Sequence, residues 1–91
     1  MQNKDILLRE DDNLLAQTLQ ELLKESGYEV DIASDGDNAA SLSYENKYDL
    51  YIFDINVPEI SGLDLLNALR EANDMTPTIF ISAMIDLKTM T

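Results

Sequence analysis

Glu10, Asp11 and Asp12 follow closely on the apolar run Ile6-Leu7-Leu8, Asp54 follows Tyr51-Ile52-Phe53, and Ser82 follows Ile79-Phe80-Ile81. A short apolar run closed abruptly by a polar residue is the pattern of a buried strand that delivers a side chain to the edge of a sheet. If the three strands are parallel, their ends share one edge despite their distance along the chain. Two or three carboxylates gathered there repel one another, and one pKa rises sharply unless a cation intervenes. A hard divalent ion such as Mg²⁺ or Mn²⁺ meets that need, because it takes a few carboxylates together with phosphate oxygens. A hydroxyl beside it, that of Ser82, would favour an incoming phosphoryl group. The chemistry indicated is attack by an aspartate on phosphorus, with positioning and charge neutralisation supplying most of the acceleration.

Each piece also has a plainer reading. An acidic triplet is an ordinary helix start, Asp54 ahead of Asn56 and Pro58 would serve as a turn residue, and Ser82 alone would be a cap. Tyr28, Tyr44, Tyr48 and Tyr51 read as core and rim packing. Only the coincidence of three strand ends lifts the functional reading.

Composition narrows the field further. The chain has 91 residues with 18 Asp and Glu against 6 Lys and Arg, a net charge of -12. That length makes one domain, burying roughly 60–65% of the surface an extended chain exposes. So acidic a surface repels nucleic acid phosphates and anionic membranes alike. Cysteine and histidine are both absent, which excludes disulfides, thiolate or imidazole metal sites, and cysteine or histidine catalysis. The N-terminal residues carry no signal peptide pattern and no membrane span, so a cytoplasmic location is expected.

Hydrophobic periodicity divides the chain into alternating strands and helices. The run at 6–8 is the first strand; Asp12 and Asn13 can cap a helix whose apolar positions are Leu15, Leu19, Leu22 and Leu23, and Gly27 stops it. Residues 28–33 alternate apolar and acidic and read as a half-exposed edge strand. A short helix over 37–44 and a buried strand over 49–53 follow. Asn56, Pro58 and Gly62 mark a loop, and a third helix over 63–72 buries Leu65, Leu66 and Leu69. Residues 78–81 form another buried strand, and 84–91 could open one more helix. The order β-α-β-α-β-α-β predicts an α/β fold with a parallel sheet, right-handed crossovers and helices on both faces. Ligands in such sheets gather at the carboxyl ends of the strands.

The stretches Ile6-Leu7-Leu8-Arg9-Glu10-Asp11-Asp12, residues 48–62 and Pro77-Thr78-Ile79-Phe80-Ile81-Ser82-Ala83 together resemble the response-regulator receiver domain of two-component signalling. The most specific part is the strand ending in Asp54, then Pro58 and Gly62, then an amphipathic helix. The resemblance implies a flavodoxin-like sheet of order 2-1-3-4-5. Residues 1–91 would be one receiver domain ending after its fourth strand, hence order 2-1-3-4. It implies that Asp54 accepts a phosphoryl group from a sensor histidine kinase. Mg²⁺ (or Mn²⁺) would be held by Glu10, Asp11, Asp54 and the backbone carbonyl of Asn56, with the Ser82 hydroxyl turning toward the phosphoryl group. Ala83 would leave room for it, while Asn56 and Met84 would tune its lifetime.

Two departures accompany the match. The family's fifth strand, with its phosphoryl-binding lysine and aromatic switch residue, has no counterpart, and Lys88 lies too close after Ser82 to take that role. Arg9 stands where the first strand usually has an apolar residue, either paired with a nearby carboxylate or perturbing the metal pocket. An uncovered strand at 78–81 would be an apolar edge, open to self-association. Two alternatives stay open. One is a pseudo-receiver that binds partners without phosphorylation. The other is a haloacid-dehalogenase-type phosphatase, which also uses an aspartate after an apolar strand but wants a second Asp where Asn56 stands.

Overall fold

The computed structural model describes residues 4–54 and 62–81. Seven elements alternate along it: β1 (Lys4–Arg9), α1 (Asn13–Glu25), β2 (Tyr28–Ala33), α2 (Gly36–Glu45), β3 (Leu50–Asp54), α3 (Gly62–Glu71) and β4 (Thr78–Ile81). All strand pairs are parallel, and the sheet order is β2-β1-β3-β4. This is the expected doubly wound arrangement, with β1 central because it pairs with both β2 and β3.

Side chains that alternate along the strands build two cores. On one face Leu7, Ala33, Tyr51 and Phe53 pack with Ala39 of α2 and with Leu65 and Leu69 of α3. On the other, Ile6, Leu8 and Val30 pack with Ala16 of α1, with Leu19 and Leu23 against them. The helices are stopped and started by local chemistry. Asp12 accepts a hydrogen bond from the Leu15 amide at 3.1 Å, and Asp35 accepts one from the Asn38 amide at 2.7 Å. Each satisfies an amide that the first helical turn leaves unpaired. Gly27, at φ 95, takes the left-handed turn after α1 that a side chain would resist.

Two expectations need correction. Leu22 is not buried but 55% exposed, because α1 lies over β1 and β2 and leaves Ile52 and Ile81 only partly covered on that face. Leu22 forms the rim of the resulting apolar groove, about 400 Å³, together with Leu15, Leu19, Leu23, Ile52 and Ile81. β4 is likewise not a fully buried strand: Ile79 is 51% exposed, and the other three residues are half-buried. Among the described residues β4 pairs only with β3, so its outer edge has no strand against it. The edge at β2 is different in kind. There Glu29 and Asp31 are exposed, and charge along an edge discourages further pairing. The helix expected within 84–91 lies outside the described residues.

The amino-terminal ends of β3 and β4 are tied together by polar contacts. Asp74 Oδ1 accepts hydrogen bonds from the Thr76 amide and hydroxyl, and its Oδ2 accepts from the Tyr51 hydroxyl. Arg70 reaches from the last turn of α3 to the carbonyls of Asp74 at 2.6 Å and Thr76 at 3.0 Å. Asn73 makes the turn with a left-handed φ of 66, which asparagine tolerates better than most residues. Burial alone would raise the Asp74 pKa, but the Thr76 and Tyr51 hydrogen bonds and the Arg70 charge outweigh it and hold the carboxyl below its ordinary value. Burial and the same contact push the Tyr51 hydroxyl up to about 12.

Candidate functional site

β1 ends at Arg9, and its ladder runs one step further through the Glu10 amide, which donates to the Ala33 carbonyl at 3.0 Å. β3 ends at Asp54 itself. The register sets Arg9 level with Phe53, so the residues that follow, Glu10 and Asp54, emerge side by side at the carboxyl edge. Asp11 follows in the turn toward α1. One carboxylate oxygen from each of Glu10, Asp11 and Asp54 lies within 4.8 Å of the others. Glu10 and Asp54 are buried, at 0% and 1% exposure, while Asp11 faces solvent. The result is an acidic cup with two walls inside the protein and one outside.

Its electrostatics follow from that geometry. Burial disfavours the ionised form of Glu10, and a hydrogen bond with Asp54 and the charges of Asp54 and Asp11 act in the same direction. The Asp12 amide, donating to Glu10 Oε1 at 3.1 Å, opposes them but does not win. The Glu10 pKa is pushed up to about 7. When its carboxyl is ionised, Glu10 Oε2 is a buried acceptor with no hydrogen-bond donor among the described residues. Protonating Glu10 supplies one, and so would a cation bound by the same oxygens. A buried orphan oxygen and three converging carboxylates are the donor set that Mg²⁺ or Mn²⁺ prefers, so the residues present fit such an ion.

Asn56 and Ser82, the other site residues expected from sequence, lie outside the described residues, as do Ala83, Met84 and Lys88. The register does set Asp54 opposite Ile81, the residue before Ser82. Asp12, adjacent to the acidic pair in sequence, is not part of the cup: it is exposed and caps α1. Arg9 is 1% exposed and among the largest fully buried side chains. A larger hollow, about 740 Å³, opens between α2 and α3 at the opposite end of the sheet. Of its ionisable lining residues, Tyr48, Tyr51 and Asp74 are engaged in hydrogen bonds, Tyr48 with Asp31 at 2.7 Å, whereas Tyr44, Glu45 and Lys47 face solvent.

Comparison with known proteins agrees with this reading of the fold. The family model for the response regulator receiver domain matches residues 6–91. The chain belongs to that family, whose members are signalling domains. Among curated relatives it is 42% identical over 78 residues to the transcriptional regulatory protein DltR of Streptococcus agalactiae, covering 86% of this chain and 35% of that protein. It is 43% identical over 81 residues to the regulatory protein VanRB of Enterococcus faecalis, covering 89% and 36% respectively. The chain thus spans about a third of the length of these relatives. Among solved structures, the response regulator TrrA of Thermotoga maritima in complex with Mg²⁺-BeF superposes with a TM-score of 0.83 at 36% identity, covering 89% of this chain and 70% of that one. TrrA bound to the histidine kinase ThkA matches with a TM-score of 0.82 at 35% identity, covering 91% of this chain and 72% of the matched chain. Among the described residues no helix is long and apolar enough to cross a membrane.

Proposed function

We propose that the chain is a phosphoacceptor receiver in which Asp54 takes a phosphoryl group from a sensor histidine kinase. The observation that carries this reading is the convergence of Glu10, Asp11 and Asp54 within 4.8 Å at the carboxyl edge of the sheet. An Asp54 oxygen attacks phosphorus, a P–O bond forms as the P–N bond of phosphohistidine breaks, and the imidazole departs with the proton it needs. Glu10, Asp11, Asp54 and the Asn56 carbonyl would hold Mg²⁺ or Mn²⁺. The ion, when bound, neutralises the negative charge that gathers on the phosphoryl oxygens. The Asp12 amide donates to Glu10 Oε1 and so helps to orient that carboxylate. Ser82 would donate its hydroxyl to a phosphoryl oxygen, and the new charge would bias the surface that partners read.

The kinase as partner is supported by the likeness to TrrA, which has been solved with ThkA. A cytoplasmic setting follows from that same role. Regulation of transcription, the role named for DltR, would belong to a further segment, since a net charge of -12 is wrong for gripping a phosphate backbone.

Incubation with Mg²⁺ and a small acyl or amido phosphate, read by intact mass, tests this. One labile phosphoryl group is expected on the chain and none on Asp54→Asn. Repeated turnover of the phosphate donor would instead favour the phosphatase, and absence of both would favour the pseudo-receiver.

A further inference from the structure

The hollow between α2 and α3 takes no part in phosphoacceptor chemistry, because it opens at the amino-terminal pole of the sheet and the cup lies at the carboxyl edge. Its existence follows from the residues that border it. Tyr48, Tyr51, Leu65 and Leu69 form a floor that is continuous with the core beneath. Above that floor stand Ala40 from α2, Ala68 from α3 and Ala72 just beyond it, all three exposed. A methyl group on either wall leaves uncovered an apolar floor that a leucine would roof. The space that remains, about 740 Å³, falls within the range of about 300–1,000 Å³ typical of small-ligand sites.

Charge at the rim selects what could fill it. Both helices end at the hollow, whose lining includes residues 43–48 and 72–74. Each therefore brings the negative end of its dipole, equivalent to about half an elementary charge. α2 has no basic residue in its last turn to offset this, and the Arg70 side chain at the end of α3 is committed to the carbonyls of Asp74 and Thr76. Among the lining side chains, the carboxylates of Glu45 and Asp74 outnumber the ammonium of Lys47. Tyr44, also in the lining, is 92% exposed, and the electron-rich face of such a ring attracts ammonium and guanidinium groups. The net charge of -12 draws cations to the molecule and repels anions.

We propose that the hollow between α2 and α3 is a binding site for a small organic cation, a molecule whose apolar body covers the Tyr48, Leu65 and Leu69 floor while its protonated nitrogen lies toward Tyr44, Glu45 and the two helix ends. The site is separate from the acidic cup. It stands or falls independently of phosphorylation at Asp54.

The probe is phenethylammonium, set against phenethyl alcohol and hydrocinnamate, which keep the ring and replace the cation by a neutral or an anionic group. Each is titrated into the isotope-labelled 91-residue chain and followed by the NMR shifts of its amides. The ammonium is expected to bind with a Kd in the low millimolar range, the affinity open to a ligand of about nine heavy atoms. Its shifts should centre on residues 43–48 and 68–76. The alcohol should bind about threefold more weakly and hydrocinnamate about tenfold more weakly. Ala68→Leu, at an exposed helical position where leucine is a good helix former, places a side chain across the hollow and should weaken the ammonium about tenfold. Ala40→Leu does the same from the opposite wall, so that failure of one variant to fold leaves the other. Alcohol binding as tightly as the ammonium overturns the assigned charge. Ammonium shifts spread over the cup and the β2 edge, and unaltered in both variants, mark a cation gathered by net charge alone and overturn the site. Absence of saturable shifts around the hollow overturns it as well.

Discussion

The Glu10 carboxyl, one residue beyond β1, lies beside the Asp54 carboxyl at the end of the neighbouring β3, with one oxygen of each within 4.8 Å of the other. Burial first, and then the nearness of Asp54, raises the Glu10 pKa to about 7. The pair is thus a proton site near neutrality and, on the reading above, a metal site that competes with that proton.

That competition predicts a pH dependence. Glu10 has a folded-state pKa above its ordinary 4.5, so its contribution to stability is complete below about 4.5 and is lost as pH rises through about 7. Glu10→Gln, which keeps the neutral shape, should therefore gain stability relative to the natural chain between those values. Urea unfolding at pH 5, 6, 7 and 8 checks this. Millimolar Mg²⁺ should close the gap at pH 8 by stabilising the natural chain more than the variant.

Asp12 lies outside the cup, and its side chain serves α1. Asp12→Ala removes the acceptor of the Leu15 amide and should cost about 1 kcal/mol of unfolding free energy. Mg²⁺ affinity should change far less than in Asp11→Ala, which takes away a carboxylate of the cup. Calorimetry on the two variants distinguishes cap from ligand.

Tyr51→Phe deletes the hydroxyl that donates to Asp74. A loss of about 1 kcal/mol is expected at neutral pH. Asp74 has a depressed pKa, so its stabilising contribution is present above its ordinary 3.8 and is lost as pH falls through the lower folded value. The difference between Tyr51→Phe and the natural chain should consequently shrink on acidification below that value, as acid unfolding curves would show.

Among the described residues no strand pairs with the outer edge of β4, and self-association of the 91-residue chain is predicted from that edge. Light scattering should show a mass that rises with concentration, and Ile79→Lys, placing charge at a half-exposed edge position, should suppress the rise. A monomeric mass over a wide concentration range contradicts the expectation.

Much of this architecture is legible in residue order, for identifiable reasons. Ile6 to Leu8 is an apolar run because β1 is covered on both faces, and Tyr51 to Phe53 because β3 is covered on one face and partly on the other; each is closed by the charge that its sheet edge needs. Asp12 and Gly27 bracket α1 through purely local chemistry, which sequence displays directly. Leu22 misleads because helical spacing specifies a stripe without saying how far the sheet beneath it extends. The links from Asp74 to Tyr51 and Thr76 are missed for a related reason. Asn73 and Asp74 look like ordinary turn residues, and the phenol that completes the cluster comes from a separate strand. The raised pKa of Glu10 likewise depends on burial and on Asp54 from a separate strand, and no local signal carries it.

The Asp74 cluster has a mechanical consequence. It fastens β3, β4 and the end of α3 at the pole of the sheet remote from Glu10 and Asp54, by side-chain bonds that leave little slack. Electrostatic stress introduced at the acidic pole finds that end already pinned, so the molecule yields most cheaply near the source, as a lever does about its fulcrum.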